Sequence, residues 1–275
     1  MILKDLTQYL DKIFHKNLAI EWDRVGLQVG RSEAEIKKIF ITLDVDDEVV
    51  DEAVKTGSDL IISHHPLIFE PLENVTDSNG GAGGKVLKLI ENSIAVYAAH
   101  TNYDVMPGGL IDILAGKLGL IDVKYIKQEN ANDLGGTGLV RYGKLKDPEI
   151  FKRYLKKLKQ ELQIEDVGWL HKGIDNPGNK LIEKIAIIPG SANSLTDETA
   201  LLDCDLVLAG EIGYHNSVKL VETGKIVAVL GHGTSEKFAM DDICDRMEVY
   251  ASNKNIDLKI IKSKAGYWVW RYDIG

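Results

Sequence analysis

The sequence predicts an α/β fold whose two halves are built from similar strand-helix-strand units. Short apolar runs of strand length, bounded by turn residues, alternate with stretches of helical spacing. The pattern also repeats. Lys38-Ile39-Phe40-Ile41, a helical stretch through Val49 to Val54, and Asp59-Leu60-Ile61-Ile62 correspond to Lys184-Ile185-Ala186-Ile187, a stretch through Leu201-Leu202, and Asp205-Leu206-Val207-Leu208, at an offset of 146 (38 to 184, 59 to 205). At an offset of 132 (94 to 226), residues 94–104 match residues 226–236, placing His100 on His232 and Asp104 on Glu236. Such units are common building blocks, and their loops converge at the carboxyl ends of the strands.

In chain order, Leu3, Leu6, Tyr9, Leu10 and Ile13 give an amphipathic helix at the start, with no charged and apolar signal pattern. Asp59-Leu60-Ile61-Ile62 is a buried strand leading into Ser63-His64-His65-Pro66. Asn79-Gly80-Gly81-Ala82-Gly83-Gly84 reads as a flexible loop, either a lid or, more simply, a solvent-exposed connector. Gly135-Gly136-Thr137-Gly138 turns into a strand. Asp147-Pro148-Glu149-Ile150 then opens a helix through Phe151, Tyr154, Leu155, Leu158 and Leu162, whose lysines form a solvated face. The aromatic run Tyr267-Trp268-Val269-Trp270-Arg271-Tyr272 reads as a strand covering a core or a subunit contact.

Composition narrows the function. With 44% hydrophobic and 27% charged residues over 275 positions, the chain is of the globular class, not membrane or disordered. Lys plus Arg total 33 against 42 Asp plus Glu, and the net charge of -9 disfavours binding nucleic acid through its phosphates. Two cysteines, Cys204 and Cys244, suit a reduced cytoplasmic protein in which both fill core.

Three strand-like runs end in histidine. Ile61-Ile62-Ser63-His64-His65-Pro66, Ala98-Ala99-His100-Thr101-Asn102-Tyr103-Asp104 and Leu230-Gly231-His232-Gly233-Thr234-Ser235-Glu236 bring imidazole and carboxylate to one end of the strands. Adjacent strand residues point to opposite faces, so His64 and His65 are expected to serve two ions, not to chelate one side by side. His232 and Glu236 are four apart and share a face if a helix follows Gly231. His64, His65, Asp104, His232 and Glu236 form a mixed set suited to Zn, Mn, Fe, Co or Ni and poorly suited to calcium or magnesium.

These motifs, with Glu21-Trp22-Asp23-Arg24-Val25-Gly26-Leu27-Gln28-Val29-Gly30, resemble the signatures of the Nif-three-like dinuclear metal centre family, often labelled GTP cyclohydrolase type-two homologues. The resemblance implies two interlinked α/β lobes, residues 1–125 with 226–275 and residues 126–225, and a ring-shaped homohexamer. It also implies two divalent transition-metal ions per chain on His64, His65, Asp104, His232 and Glu236. Glu211 stands where the family usually has Asp, and Pro189-Gly190-Ser191-Ala192-Asn193 departs from a glycine-rich turn. Two divalent ions with two carboxylates and a hydroxide leave a net positive site that attracts a small anionic or nucleotide-like molecule. The expected activity is metal-dependent hydrolysis, with cyclohydrolase-type ring opening of GTP as the named candidate. A ring-forming metal-binding scaffold or regulator and a metal-dependent phosphoesterase are the rivals. His215 and His100 are the candidate proton donors, His100 equally a residue that orients a ligand.

Overall fold

The computed structural model describes residues 1–77, 81–126, 138–173 and 175–265. The aromatic run 267–272, together with Asn79, Gly80 and residues 135–137, lies outside the described residues. The strands are β1 (Gly26–Val29), β2 (Lys38–Thr42), β3 (Leu60–Ser63), β4 (Ala95–Ala98), β5 (Leu120–Tyr125), β6 (Arg141–Ile150), β7 (Gly168–Leu170), β8 (Leu181–Ser191), β9 (Leu206–Glu211), β10 (Ile226–Val229) and β11 (Lys259–Lys262). The helices are α1 (Leu3–Ile13), α2 (Asp47–Thr56), α3 (Gly81–Glu91), α4 (Thr101–Val105), α5 (Leu110–Lys117), α6 (Phe151–Leu162), α7 (Thr196–Ala200), α8 (Tyr214–Glu222), α9 (His232–Glu236) and α10 (Phe238–Lys254).

The chain forms two compact units. Of the described residues, Met1–Met106 and those from Lys237 onward make the first, and Pro107–Glu236 makes the second. Residues 107–125 and 226–236 thus go with the second unit, where the sequence reading had put them in the first. Strand pairing is the reason: β5 is paired with β6, and β10 lies between β9 and β7 in a sheet ordered β5-β6-β8-β9-β10-β7.

The first unit holds a sheet ordered β1-β4-β3-β2-β11, parallel except for β1. All four residues of β3 are buried, as expected for a parallel strand covered on both faces. Between β2 and β3, α2 starts where the Asp46 carboxylate accepts from Val49 N–H at 2.8 Å and stops at Gly57, whose φ of +62° a side chain would resist. Its buried face, Val49, Val50 and Ala53, packs with Phe40, Ile61 and Val96 into one core. In the second unit Ala186, Val207 and Val227 form the corresponding core with Leu220 and Val221 of α8.

The repeat is visible in the hydrogen bonds. Asp59 Oδ2 accepts from the backbone N–H groups of Lys37 and Lys38, both at 2.8 Å. Asp205 Oδ2 accepts from Glu183 and Lys184 at 2.9 and 3.0 Å. The offset of 146 therefore holds in three dimensions, whereas the offset of 132 does not. Leu60 pairs with Ala95 and Leu206 with Ile226, so Ala95 corresponds to Ile226, an offset of 131 (95 to 226). Ala99 N–H donates to Ser63 O as Leu230 N–H donates to Ala209 O. His100 consequently stands where the second unit has Gly231, and Asp104 where it has Ser235.

Two local expectations change. Residues 147–150 finish β6 instead of opening a helix, and α6 begins at Phe151. Pro148 lacks an N–H, and the β6–β8 register is interrupted between Lys144 and Glu149, where that loss is tolerated. Residues 81–84 open α3 instead of forming a loop. A Cβ at Gly83 would lie 2.3 Å from the Asn74 carbonyl oxygen, so glycine there permits close packing of the helix on the preceding segment.

Candidate metal centre

In the first unit the histidines follow the carboxyl ends of β3 and β4. The backbone of the pair is fixed on the end of β2 and the residue after it, with His64 N–H donating to Thr42 O and His65 N–H to Leu43 O. The two rings do not point to opposite faces. Their centroids lie 5.0 Å apart with a tilt of 45°, because β3 has already ended at Ser63. His100 closes a triangle, 5.3 Å from His64 and 5.5 Å from His65 between ring centroids. One ring nitrogen from each of the three lies within 4.8 Å of the others.

Oxygen acceptors set the tautomers. His64 Nδ1 lies 2.8 Å from Ala99 O, His65 Nδ1 2.7 Å from Asp44 Oδ1, and His100 Nδ1 2.8 Å from Asp23 Oδ1. A carbonyl or carboxylate oxygen only accepts, so each Nδ1 donates there and each Nε2 is the ring nitrogen left to face a ligand. Metal-binding histidines are oriented in this way. Asp23 also accepts from Thr101 N–H, Thr101 Oγ1 and Arg24 N–H. Burial pushes its pKa up, but the bonds from His100, Thr101 and Arg24 outweigh burial and hold the carboxyl below the usual range. Asp104, in α4, has Oδ1 3.5 Å from His64 Nε2.

In the second unit, α9 places His232 and Glu236 one turn apart, with Nε2 to Oε2 at 3.3 Å. On the other side of the ring, Glu211 Oε1 at the end of β9 lies 3.4 Å from His232 Nδ1. Glu236 is buried against Gly190, which has φ +60°, and a Cβ there would sit 2.4 Å from Glu236 Oε1. Ser235 Oγ accepts from Gly190 N–H at 3.0 Å and donates to His232 O at 2.7 Å, tying that turn to α9. The departure from a glycine-rich turn at 189–193 thus keeps the one glycine that Glu236 requires.

His215 is exposed at the start of α8 and belongs to neither group. Burial pushes the thiols of Cys204 and Cys244 up to about 11, which keeps them protonated near neutral pH and makes them poor ligands. A cavity of about 850 Å³ in the second unit, beside β6 and α6, is lined by none of the predicted site residues. Asp23, Asp44 and Glu211 were not singled out as site residues. Asp44 and Glu211 sit at or just after a strand's carboxyl end, the signal that identified the histidines.

The donors fit a transition metal. Two ligand atoms about 2.1 Å from one ion at a tetrahedral angle are about 3.4 Å apart. The His64–Asp104 and His232–Glu236 separations of 3.5 and 3.3 Å match that span. Among the described residues no helix is long and apolar enough to cross a membrane.

Fold and donors together define a mixed α/β protein with histidine and carboxylate groups gathered at strand ends. The chain belongs to the family described as Duf34/NIF3 (NGG1p interacting factor 3), which matches residues 1–266. It is similar to the GTP cyclohydrolase 1 type 2 homolog of Clostridium perfringens, 30% identical over 264 residues and covering 96% of this chain and 97% of that protein. The protein of the same description from Methanocaldococcus jannaschii is 32% identical, covering 95% and 98%. Among solved structures, reduced HcgD from M. jannaschii has a TM-score of 0.77 at 31% identity over 96% of this chain and 98% of that one. A Bacillus cereus protein related to NIF3 has a TM-score of 0.87 at 21% identity over 99% of both chains, which shows the shared fold.

Proposed function

We propose that this chain is a metal-dependent hydrolase acting on a small anionic or nucleotide-like substrate. The proposed ligands of two divalent transition-metal ions are His64, His65, Asp104, His232 and Glu236. The carrying observation is the three-imidazole group in which Ala99 O, Asp44 and Asp23 each fix a protonated Nδ1. Ring opening of GTP is the named candidate because relatives bear the description GTP cyclohydrolase 1 type 2 homolog. On this reading the protein works in the cytoplasm as a homohexamer without a membrane partner, and its net charge of -9 disfavours nucleic acid.

Two such ions would supply Lewis acidity and bring the ionisation of a water near neutral pH. The chain's own residues do the rest. Asp23 holds the His100 imidazole with its proton on Nδ1 and its Nε2 lone pair available to accept another, and the ionised carboxylate stabilises the cation that forms. Asp44 does the same for the orientation of His65. His215 is the second candidate for delivering a proton to the leaving group.

Elemental analysis of protein purified without chelator tests the ligands: about two ions per chain are expected, with His64→Ala losing metal and Asp104→Ala or Glu236→Ala losing more than one ion. Wild-type content in all three variants would discard the assignment. Incubation with GTP, then with other nucleotides and phosphoesters, tests turnover, which should rise with pH and vanish on stripping metal. Fully loaded protein with no metal-dependent turnover, whose oligomer dissolves on chelation, would instead be a scaffold.

A further inference from the structure

Trp22 and Phe69 of the first unit are exposed without being loose. Trp22 is 51% exposed and Phe69 43%, and their rings meet edge to face with centroids 5.8 Å apart. Beside Trp22, the side chain of Asp23 is fully buried and bonded to His100 and Thr101. Beside Phe69, Ile68 is clamped by Gln28, whose amide donates to Ile68 O at 2.9 Å and accepts from Ile68 N–H at 3.1 Å. The same amide donates to Arg24 O at 3.0 Å, so one side chain ties together the two segments that carry the rings. The part of this aromatic area that stays in water on a fixed frame is available as a contact surface.

Its position says what it contacts. The Trp22 ring also meets His100 edge to face, at 6.4 Å between centroids, and His100 is one of the three imidazoles. At 51% exposure Trp22 keeps ring surface open beside these two contacts, and an indole face favours an offset-stacked aromatic ring over an aliphatic group of equal area. We infer that Trp22 and Phe69 form a subsite for the planar heteroaromatic ring of a ligand whose polar end reaches the imidazole group. The polar end rests on the proposed metal-dependent reading, whereas the ring subsite stands on the aromatic pair itself.

The test uses tryptophan fluorescence and equilibrium binding on metal-loaded, full-length protein, with GMP, UMP and nicotinate as ring probes and ribose 5-phosphate as the ringless control. At least one ring probe should quench emission in the wild type, and Trp22→Phe should remove that component while Trp169→Phe keeps it. Trp22→Ala should weaken binding of that probe about 5- to 150-fold, the range for one stacked ring, and leave ribose 5-phosphate binding unchanged. Phe69→Ala provides a second variant should Trp22→Ala lose its fold by circular dichroism. The inference is overturned if no ring probe quenches Trp22, or if folded Trp22→Ala and Phe69→Ala bind the probes like wild type. Metal content of the same samples keeps the two readings apart. Ring-dependent quenching without metal would sink the hydrolase alone, and full metal with unaltered binding in the variants would sink the subsite alone.

Discussion

Asp23 Oδ1 lies 2.8 Å from His100 Nδ1, so a buried, ionised carboxylate decides which nitrogen of that imidazole carries the proton. The same carboxylate takes both the N–H and the hydroxyl of Thr101, the first residue of α4. One side chain therefore fixes a ring and the start of the helix that carries Asp104.

Asp23→Asn should destabilise the protein by about 1–3 kcal/mol at pH 7, because the amide presents a donor where bonds are accepted. Burial raises the Asp23 pKa, the bonds from His100, Thr101 and Arg24 lower it by more, and the folded value ends below the unfolded one of about 3.9. Its contribution to stability is thus present above about pH 4 and lost as pH falls through the folded value. Urea midpoints of the two proteins should converge as pH drops from 6 toward 2.5. A difference that stays constant over that range would refute the account.

Asp59 and Asp205 make the same contact in the two sheets, each accepting from two successive backbone N–H groups, at the start of β2 and within β8. Substituting either by Ala strands both donors and should cost about 1–3 kcal/mol by urea unfolding. Losses below about 0.5 kcal/mol would show that water replaces these bonds freely.

The sequence disclosed the parallel strand-helix-strand units because buried strands read as continuous apolar runs ending in chemistry-bearing residues. The 38–62 and 184–208 correspondence survived because Asp59 and Asp205 mark it. The His100 and His232 correspondence failed by one residue, since aligning like residues ignored the ladder that pairs Ala95 with Leu60 and Ile226 with Leu206. Pro148 resembled a helix start because proline suits a first turn and an interrupted edge of a ladder equally well. Glycines 81–84 resembled a loop because close packing against the Asn74 carbonyl leaves no local signature. Asp23, Asp44 and Glu211 stayed hidden as imidazole partners because the three pairings join residues 77, 21 and 21 positions apart, beyond any local sequence signal.

Gly190→Ala should act at the Glu236 carboxylate. A Cβ there would meet Glu236 Oε1 at 2.4 Å, and the φ of +60° adds about 1–2 kcal/mol of backbone strain. The expected result is a lowered thermal midpoint and, by elemental analysis, metal loss like that of Glu236→Ala. Wild-type metal content in the folded variant would mean that Glu236 moves aside without consequence, or holds no ion.

His100→Asn and His215→Asn separate proton handling from surface chemistry. His100 has its Nδ1 committed to Asp23 and lies among the imidazoles, while His215 is exposed at the start of α8. If His100 moves protons, its replacement should lower metal-dependent turnover about 10²–10⁴-fold with metal content unchanged. His215→Asn should stay within about tenfold of wild type in rate, with the same metal content and thermal midpoint. Loss of metal from His100→Asn would reassign that residue as a ligand. A larger rate loss in His215→Asn than in His100→Asn would move the proton-transfer role to α8.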